Sequence, residues 1–420
     1  MNVLVVGGGG REHAVIKKLI ESDRIKRLYC TPGNGGICAN ADCVNLKATD
    51  IDMIAAFAQQ HEIDFAVVTP DDPLVLGLVD VLEGLGIRCF GPSKKAAQIE
   101  GSKIFSKNLM KKYGIPTAAY EVFDRSEEAI AYVKAQDSYP VVIKADGLAL
   151  GKGVIIAQDL AEATEAIRGM IDGGRFGASG SHVVIEEFLR GPEATVLAFT
   201  DGKTIKPMVS SMDHKRALDG DMGPNTGGMG TIAPNPHYTP ELERMCMETI
   251  FLPTIRALQS EGAPFKGCLY FGLMLTPKGP YVIEYNCRFG DPEAQVVLPL
   301  LETDLLTVFE AVADERLAEL DIEWEQGAAA CVVMASGGYP QAYEKGKEIT
   351  GLDEVQSSHG VTVYHAGTRY DDGRYYTAGG RVLGVTAKGK TLPAALTKAY
   401  EAVEKIHFEG AHYRTDIGKR

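Results

Sequence analysis

The chain has 420 residues, 45% hydrophobic and 24% charged, an ordinary balance for a globular protein of roughly three domains. Its net charge of −13 and pI near 5.3 argue against a polyanion-binding surface, and so against nucleic acid as a partner. They leave room for a small phosphate ligand held by local positive groups. No apolar run approaches the length of about 18 residues that marks a membrane span, so no membrane partner is expected.

In chain order, Val3–Val6 reads as a buried strand, followed by a glycine turn and a helix near Glu12–Ile20. Strands at Arg27–Cys30, Phe65–Thr69 and Cys89–Phe90 alternate with helices at Ile51–His61 and Leu74–Leu85. That alternation predicts a parallel sheet with helices on both faces and ligands at the carboxyl ends of its strands. A helical stretch over Lys94–Tyr113 stops at Gly114-Ile115-Pro116. Next comes a small α+β lobe, with strands near Ala119–Phe123, Val141–Lys144, Val154–Ala157 and Val183–Glu186 and helices at Ser126–Ala135 and Leu160–Met170. Strands at Glu193–Thr200, Ile205–Ser210, Cys268–Thr276 and Tyr281–Tyr285 follow, with helices near Glu241–Gln259 and Leu305–Leu317. The last unit reads as strands Ala328–Ala335, Val361–Ala366 and Arg381–Thr386 and a helix Leu392–Ile406.

The eight cysteines form no C-x-x-C pair and several sit in apolar runs. Most read as buried apolar residues of a reducing compartment, with the cytoplasm as the expected location. Cys38 and Cys43 as a metal pair lack a supporting second pair or histidine.

Gly7-Gly8-Gly9-Gly10-Arg11-Glu12-His13 follows the first strand and opens a helix. Exposed N–H groups at such a turn favour an anion, although a turn that needs only conformational freedom would use the same glycines. Glu12 and His13 stand where a dinucleotide fingerprint needs glycine, and the second strand ends without an acid for ribose, so a nicotinamide enzyme is not expected. Thr31-Pro32-Gly33-Asn34 ends the second strand beside the same crevice. Lys144 to Gly153 departs from a P-loop at Asp146 and Gly153 and joins two strands, which suits a glycine-rich flap over phosphates, with Lys144 below and Lys152 on the flap. Lys144 ends an apolar run, an awkward place for a cation without a partner. The connector after Glu186 has the form of an adenine-edge binder, and Glu193 suits ribose hydroxyls; a plain buried strand is the alternative.

Asp213-His214-Lys215-Arg216 and Gly223–Gly230 form a polar, glycine-rich stretch with little helix or strand pattern, the mark of a loop that is either functional or disordered. In Ile283–Glu293, Tyr281, Ile283 and Tyr285 alternate with Glu284 and Asn286. The latter two share a strand face and aim two hard oxygens at one point, which suits Mg²⁺ with phosphate. Arg288 follows in the turn as a phosphate-gripping cation. A polar solvent face would look the same.

Taken together and in order, these segments resemble the ATP-grasp superfamily, and within it the glycinamide ribonucleotide synthetases (phosphoribosylamine–glycine ligases), over essentially the whole chain. The matching segments are GGGGREH at 7–13, TPGN at 31–34, Lys144–Gly153, DHKR at 213–216, GPNTGGMG at 223–230 and EYNCRFGDPE at 284–293. The resemblance implies a Rossmann-like N-terminal α/β domain at 1–102, an ATP-grasp domain at 103–325 with a small flap lobe at about 118–192, and a C-terminal α+β domain at 326–420. It implies ATP as co-substrate with Mg²⁺ or Mn²⁺, glycine and 5-phosphoribosylamine as the joined substrates, and a monomer. ATP phosphorylates the glycine carboxylate, the amine then attacks, and glycinamide ribonucleotide, ADP and phosphate leave.

The roles carried over are Lys144, Asp213 and Arg288 for catalysis and Glu284 and Asn286 for metal. Lys103, Lys144, Gly147, Lys152, Gly153, Glu186, Glu187, Leu189 and Glu193 would bind ATP. Gly9, Gly10, Arg11, Glu12, Asn34, Asp213, Asn225, Gly228 and Arg288 would bind the other substrates. One departure is that Cys268–Gly272 offers no second acidic metal ligand. A ligase or carboxylase with another acceptor shares the ATP motifs. A nucleotide sensor without turnover would not need the full phosphate and metal set.

Overall fold

A computed structural model describes residues 1–148, 153–173, 180–356 and 358–419. The first strand, β1 (Asn2–Gly7), feeds through Gly8 and Gly9 into α1 (Gly10–Leu19). Then come β2 (Arg27–Pro32), β3 (Asp42–Cys43), α2 (Ile51–Gln60), β4 (Phe65–Val68), α3 (Asp71–Leu76), α4 (Leu78–Gly84) and β5 (Arg88–Phe90). Neighbours in the sheet order β3-β2-β1-β4-β5 are all parallel, as the alternation predicts. Side chains of β1 split by the two-residue period. Leu4 and Val6 pack with Ile54, Leu74 and Leu78 on one face, and Val3 and Val5 pack with Ala14, Val15 and Leu19 on the other. Both faces are covered, hence the unbroken apolar run.

Two expected helices are interrupted. Gly77 at φ +96° ends α3 and starts α4, where a residue with a side chain would be strained. The Lys94–Tyr113 stretch becomes α5 (Gln98–Gly101) and α6 (Lys103–Tyr113), with Ser102 extended between them and its Oγ capping Phe105 N.

The small lobe holds β6 (Tyr120–Phe123), α7 (Ser126–Gln136), β7 (Val141–Ala145), β8 (Val154–Ala157), α8 (Leu160–Ile171) and β9 (Val183–Glu187). Its antiparallel sheet runs β6-β9-β7-β8. Ile143, Ala145, Val183 and Ile185 pack with Ala129, Val133, Ala163 and Ile167 of the helices. Strand alternation therefore sends Lys144 and Glu186 to the opposite face.

The chain then forms β10 (Glu193–Asp201), β11 (Ile205–Pro207), β12 (Met212–Asp213), β13 (Arg216–Leu218), β14 (Met222–Asn225) and β15 (Gly230–Ala233). The stretch expected to lack pattern is thus strands and a β13–β14 hairpin, too short for a period to be read. After α9 (Pro240–Cys246), a π-helical turn and α10 (Leu252–Ser260) come β16 (Lys266–Thr276) and β17 (Gly279–Asn286), which build an antiparallel sheet β11-β10-β16-β17. Leu273 pairs with Val282 and Gly272 with Glu284, so Ile283 is an extra, bulged residue. The expected alternation fails there: Val282 and Tyr285 share the core, and Ile283 is only half-buried.

Two short helices, α11 (Ala294–Val297) and α12 (Leu305–Ala313), lead to β18 (Ala328–Ala335), β19 (Glu348–Ile349), α13 (Leu352–Gln356), β20 (Val361–His365), β21 (Thr368–Asp371), β22 (Arg374–Thr377), β23 (Arg381–Gly389) and α14 (Leu392–Val403). A second five-stranded sheet, β12-β15-β18-β23-β20, draws strands from both sides of residue 326. Strands β19, β21 and β22, invisible to the sequence reading, form a separate small sheet. Cys30, Cys89, Cys246, Cys268, Cys287 and Cys331 are free and buried, but Cys38 and Cys43 are joined in a disulfide, which corrects the reading of both as reduced thiols.

Candidate active site

The bulge in β17 sets up one end of the site. Glu284 lies opposite Gly272, where a Cβ would sit 3.0 Å from the Glu284 stem. Burial pushes the Glu284 carboxyl up, but Lys215, Lys144, Lys103 and Arg288 outweigh it and hold its pKa below the usual value. Asn286 is oriented by its neighbours: its amide nitrogen donates to Glu100 Oε1 at 2.9 Å and to the Tyr285 carbonyl at 3.3 Å. That leaves the amide oxygen as an acceptor near an ionised carboxylate. One carboxylate and one amide oxygen, ringed by cations that expect phosphate, fit a hard divalent ion completed by phosphate oxygens and water. Among the described residues no cluster of three or more His, Cys, Asp or Glu forms a self-sufficient metal cage.

Lys144 has the partner its burial requires. Its Nζ lies 3.0 Å from the Glu186 carboxylate and donates to the Ile283 carbonyl, freed by the bulge, at 3.1 Å. Lys103 Nζ donates to the Gly147 carbonyl at 2.8 Å, and burial lowers its pKa. The same flap is tied to α6 by Asp146, whose carboxylate accepts from Ser102 Oγ at 3.1 Å and Ile104 N at 3.2 Å. Gly147 needs its left-handed φ of +88°, and Gly153 closes the hairpin through its carbonyl to Ala145 N. Lys152 lies outside the described residues.

Glu187 N donates to the Ala119 carbonyl, and the Glu187 carboxylate accepts from Ala119 N. Leu189 is half-buried and Glu193 exposed along the connector that follows. Lys215 stands 3.4 Å from Glu193 and 3.5 Å from Glu284, acids that raise its pKa well above the ordinary lysine value. It therefore links Glu193 to Glu284.

At the far end, Asp213 accepts from His214 N at 2.8 Å. Burial, and then the neighbouring Glu293 carboxylate, push its pKa well above the usual carboxylate value. Gly228, at φ +116°, packs over it: a Cβ there would meet Asp213 Oδ1 at 2.7 Å and Pro292 at 2.5 Å. Asn225 is exposed on β14. Arg288 donates to Glu100 at 2.8 Å and to the Phe289 carbonyl at 3.2 Å, while its Nε is buried without a hydrogen bond.

The glycine turn at 7–13 faces the same segment. A Cβ on Gly9 would lie 3.2 Å from Asp291, and one on Gly10 2.5 Å from Gln295. Arg11 donates to the Phe289 carbonyl at 3.2 Å and to Glu12. Two expected ligand contacts are engaged within the protein. Glu12 is buried and accepts from Gly9 N, Arg11 and Thr69. Asn34 donates to the Gly8 and His365 carbonyls and accepts from Gly36 and Ile37 N. Both shape the turn.

Residues the sequence reading passed over complete the site: Glu100, Asp146, Lys215, Glu293 and Arg381. Arg381 donates to the Gly227 carbonyl at 2.7 Å and to the Asp291 carbonyl at 2.6 Å. It binds the loop over Asp213 to the turn after Arg288. Asp146, Lys215 and Glu293 lay inside quoted motifs; Glu100 and Arg381 have partners far away in sequence and gave no local signal.

Models of phosphoribosylglycinamide synthetase match the chain throughout: the N domain over residues 1–100, the ATP-grasp (A) domain over 101–294 and the C domain over 329–420. A phosphoribosylamine–glycine ligase of Caldanaerobacter subterraneus is 52% identical over 99% of this chain and 99% of its own. One from Clostridium acetobutylicum is 48% identical over the full length of both. The crystal structure of the phosphoribosylamine–glycine ligase of Thermotoga maritima superposes with a TM-score of 0.86 at 35% identity, covering 99% of this chain and 100% of that one. The biotin carboxylase domain of a Hydrogenobacter thermophilus 2-oxoglutarate carboxylase shares the fold, with a TM-score of 0.75 at 18% identity over 98% of this chain and 91% of that one.

Proposed function

The chain belongs to the phosphoribosylglycinamide synthetase family, and on that premise we propose that ATP, glycine and 5-phosphoribosylamine meet in the cleft between the small lobe, the β16–β17 hairpin and the glycine turn at 7–13. The protein is an ATP-dependent ligase of purine biosynthesis that joins glycine to phosphoribosylamine. It uses ATP with a divalent metal; Mg²⁺ or Mn²⁺ suits the oxygen donors Glu284 and Asn286. When bound, the ion supplies charge neutralisation of the phosphates.

The rest falls to the chain's own residues. Lys144 and Lys103 lie beside Glu284 and would neutralise phosphate oxygens. The connector at Glu186, Glu187 and Leu189 would take the adenine edge, and Glu193 with Lys215 the ribose end. Glycine would enter with its ammonium group toward the buried Asp213 and Glu293 carboxylates and its carboxylate toward Arg288. Transfer of the γ-phosphoryl group to a glycine oxygen gives glycyl phosphate. Attack of the phosphoribosylamine nitrogen on that carbonyl then expels phosphate. Phosphoryl transfer draws on positioning and charge more than on covalent help. The amine is largely neutral near pH 7, so no strong base is required. The turn at 7–13 would hold the phosphoribosyl group. We place the protein in the cytoplasm as a monomer.

The observation that carries this reading is the convergence of Glu284, Asn286, Lys144, Lys103 and Lys215 on one end of a cleft whose other end holds Arg288 and Asp213. ADP release is measured with glycine alone, with phosphoribosylamine formed in situ from ribose 5-phosphate and ammonia, and with both. Release that requires both, with a glycyl amide product, is expected. Turnover with bicarbonate or another amino acid in place of glycine would overturn the substrate assignment.

A further inference from the structure

Lys107 lies on α6, buried to 2% exposure, in none of the motifs that mark the site. Its ammonium group is 3.0 Å from Oε2 of Glu186, and Lys144 Nζ lies 3.0 Å from the same oxygen. It also donates to Thr117 Oγ1 at 2.7 Å, whose hydroxyl donates to the Val282 carbonyl at 2.8 Å. Thr117 forms a β-bridge with Val282 just before the chain enters the small lobe at β6, and Glu186 is the penultimate residue of the lobe's last strand, just before the chain leaves it. A single buried cation thus touches both crossings between lobe and body.

We propose that Lys107 is a positioning residue of the nucleotide site: it holds the Glu186 carboxylate where that group aims Lys144 at the phosphates, and it fastens both crossings of the small lobe. The inference rests on the reading of Lys144 and Glu186 as ATP-site residues. Without Lys107, Glu186 would keep only Lys144 as a charged partner, and Lys144 would be drawn onto it instead of onto phosphate. The bulged Ile283 carbonyl, one residue before Glu284, holds Lys144 from the other side.

The groups facing Lys107 are Glu186 and Glu187 on β9, Lys144 on β7 and the Tyr120 ring on β6, with its centroid 5.6 Å away. Lys111 on the same helix lies over that ring as well. Burial lowers the Lys107 pKa to about 8, with Lys144 adding to the fall and the two glutamates opposing it. The ammonium form is therefore present at neutral pH and lost as pH rises through about 8. ADP phosphates and an arginine stay fully charged across that range.

The test is calorimetric titration of the whole protein with MgADP at about pH 7.5 and about pH 9.5, for wild type, Lys107→Met and Lys107→Arg, with thermal melting to confirm folding. Wild-type affinity should fall about tenfold or more between the two pH values, as the charged fraction of Lys107 falls. Lys107→Arg should remove most of that fall, and Lys107→Met should bind weakly at both. In turnover, Lys107→Met should raise the KM for ATP more than it lowers kcat. Folded Lys107→Met with wild-type affinity, or Lys107→Arg with the wild-type pH dependence, would overturn the inference. If Lys107→Met does not fold, the comparison of wild type with Lys107→Arg decides. A wild type that binds no MgADP would instead remove the nucleotide-site reading beneath it.

Discussion

Arg288 is a largely buried cation held from two directions. Burial opposes its charge, but Glu100 and other acids offset this and raise its pKa above the usual value. Glu100 also accepts from Cys287 N at 2.7 Å. Glu100→Gln removes the counter-charge and should cost about 1.5–3 kcal/mol of stability in urea unfolding, and it should raise the KM for glycine by loosening Arg288. Glu284→Gln keeps the shape but loses the ionised ligand, and steady-state kinetics should show kcat/KM lower by roughly 10²-fold or more with the fold intact. Asp213→Asn should raise the glycine KM about tenfold while single-turnover chemistry stays near the wild-type rate. A collapse of chemistry with intact binding would make Asp213 a base. At this scale the sequence exposed residues that sit together in strand and turn, such as Glu284, Asn286 and Lys144. It hid Glu100 and Lys107, because an isolated charge in a helix looks solvated until its distant partner is known.

The elements explain why so many glycines are needed at only a few places. Gly228 lets the loop between β14 and β15 lie on Asp213 and Pro292, with Arg381 and Tyr339 holding Gly227 from the C-terminal side. Gly228→Ala meets both an unfavourable φ and a close contact, so a loss of about 1–3 kcal/mol in melting experiments is expected, with a larger loss of activity than of fold. Strands and helices with long periods were legible: the parallel sheet, the small lobe and the β16–β17 hairpin lie close to their predicted bounds. The breaks were not. Gly77 and Ser102 interrupt helices by backbone conformation and capping, and Ile283 is inserted by sheet register, which a two-residue period does not record. The short strands β12–β15, β19, β21 and β22 take their identity from partners elsewhere in the chain.

Across the whole molecule, the N-terminal turn and the C-terminal sheet meet at two buried histidines. His365 N donates to His13 Nδ1 at 2.8 Å, so the His13 proton sits on Nε2, facing Asn40 Oδ1 at 3.3 Å. Burial lowers the pKa of His13 to about 3 and of His365 to about 4. Both groups stay neutral in the folded protein while the unfolded chain takes up protons below its usual value of about 6.5. Their contribution to stability is complete above that pH and is lost as pH falls toward the folded values. Denaturant unfolding should therefore weaken by up to about 1.4 kcal/mol per pH unit for each histidine over this window, and His13→Gln should flatten the slope. This contact, the engaged Asn34 and the Arg381 clamp join distant ends of the chain, so the sequence showed the domains in order but not how they interlock. Activation of glycine by phosphorylation is the central step proposed for the cleft. Turnover with glycine labelled with ¹⁸O in its carboxylate tests it most directly. Transfer of one label to the released phosphate, with ADP as the nucleotide product, is the predicted result. Label in AMP, or unlabelled phosphate with the second label lost to water, would contradict it.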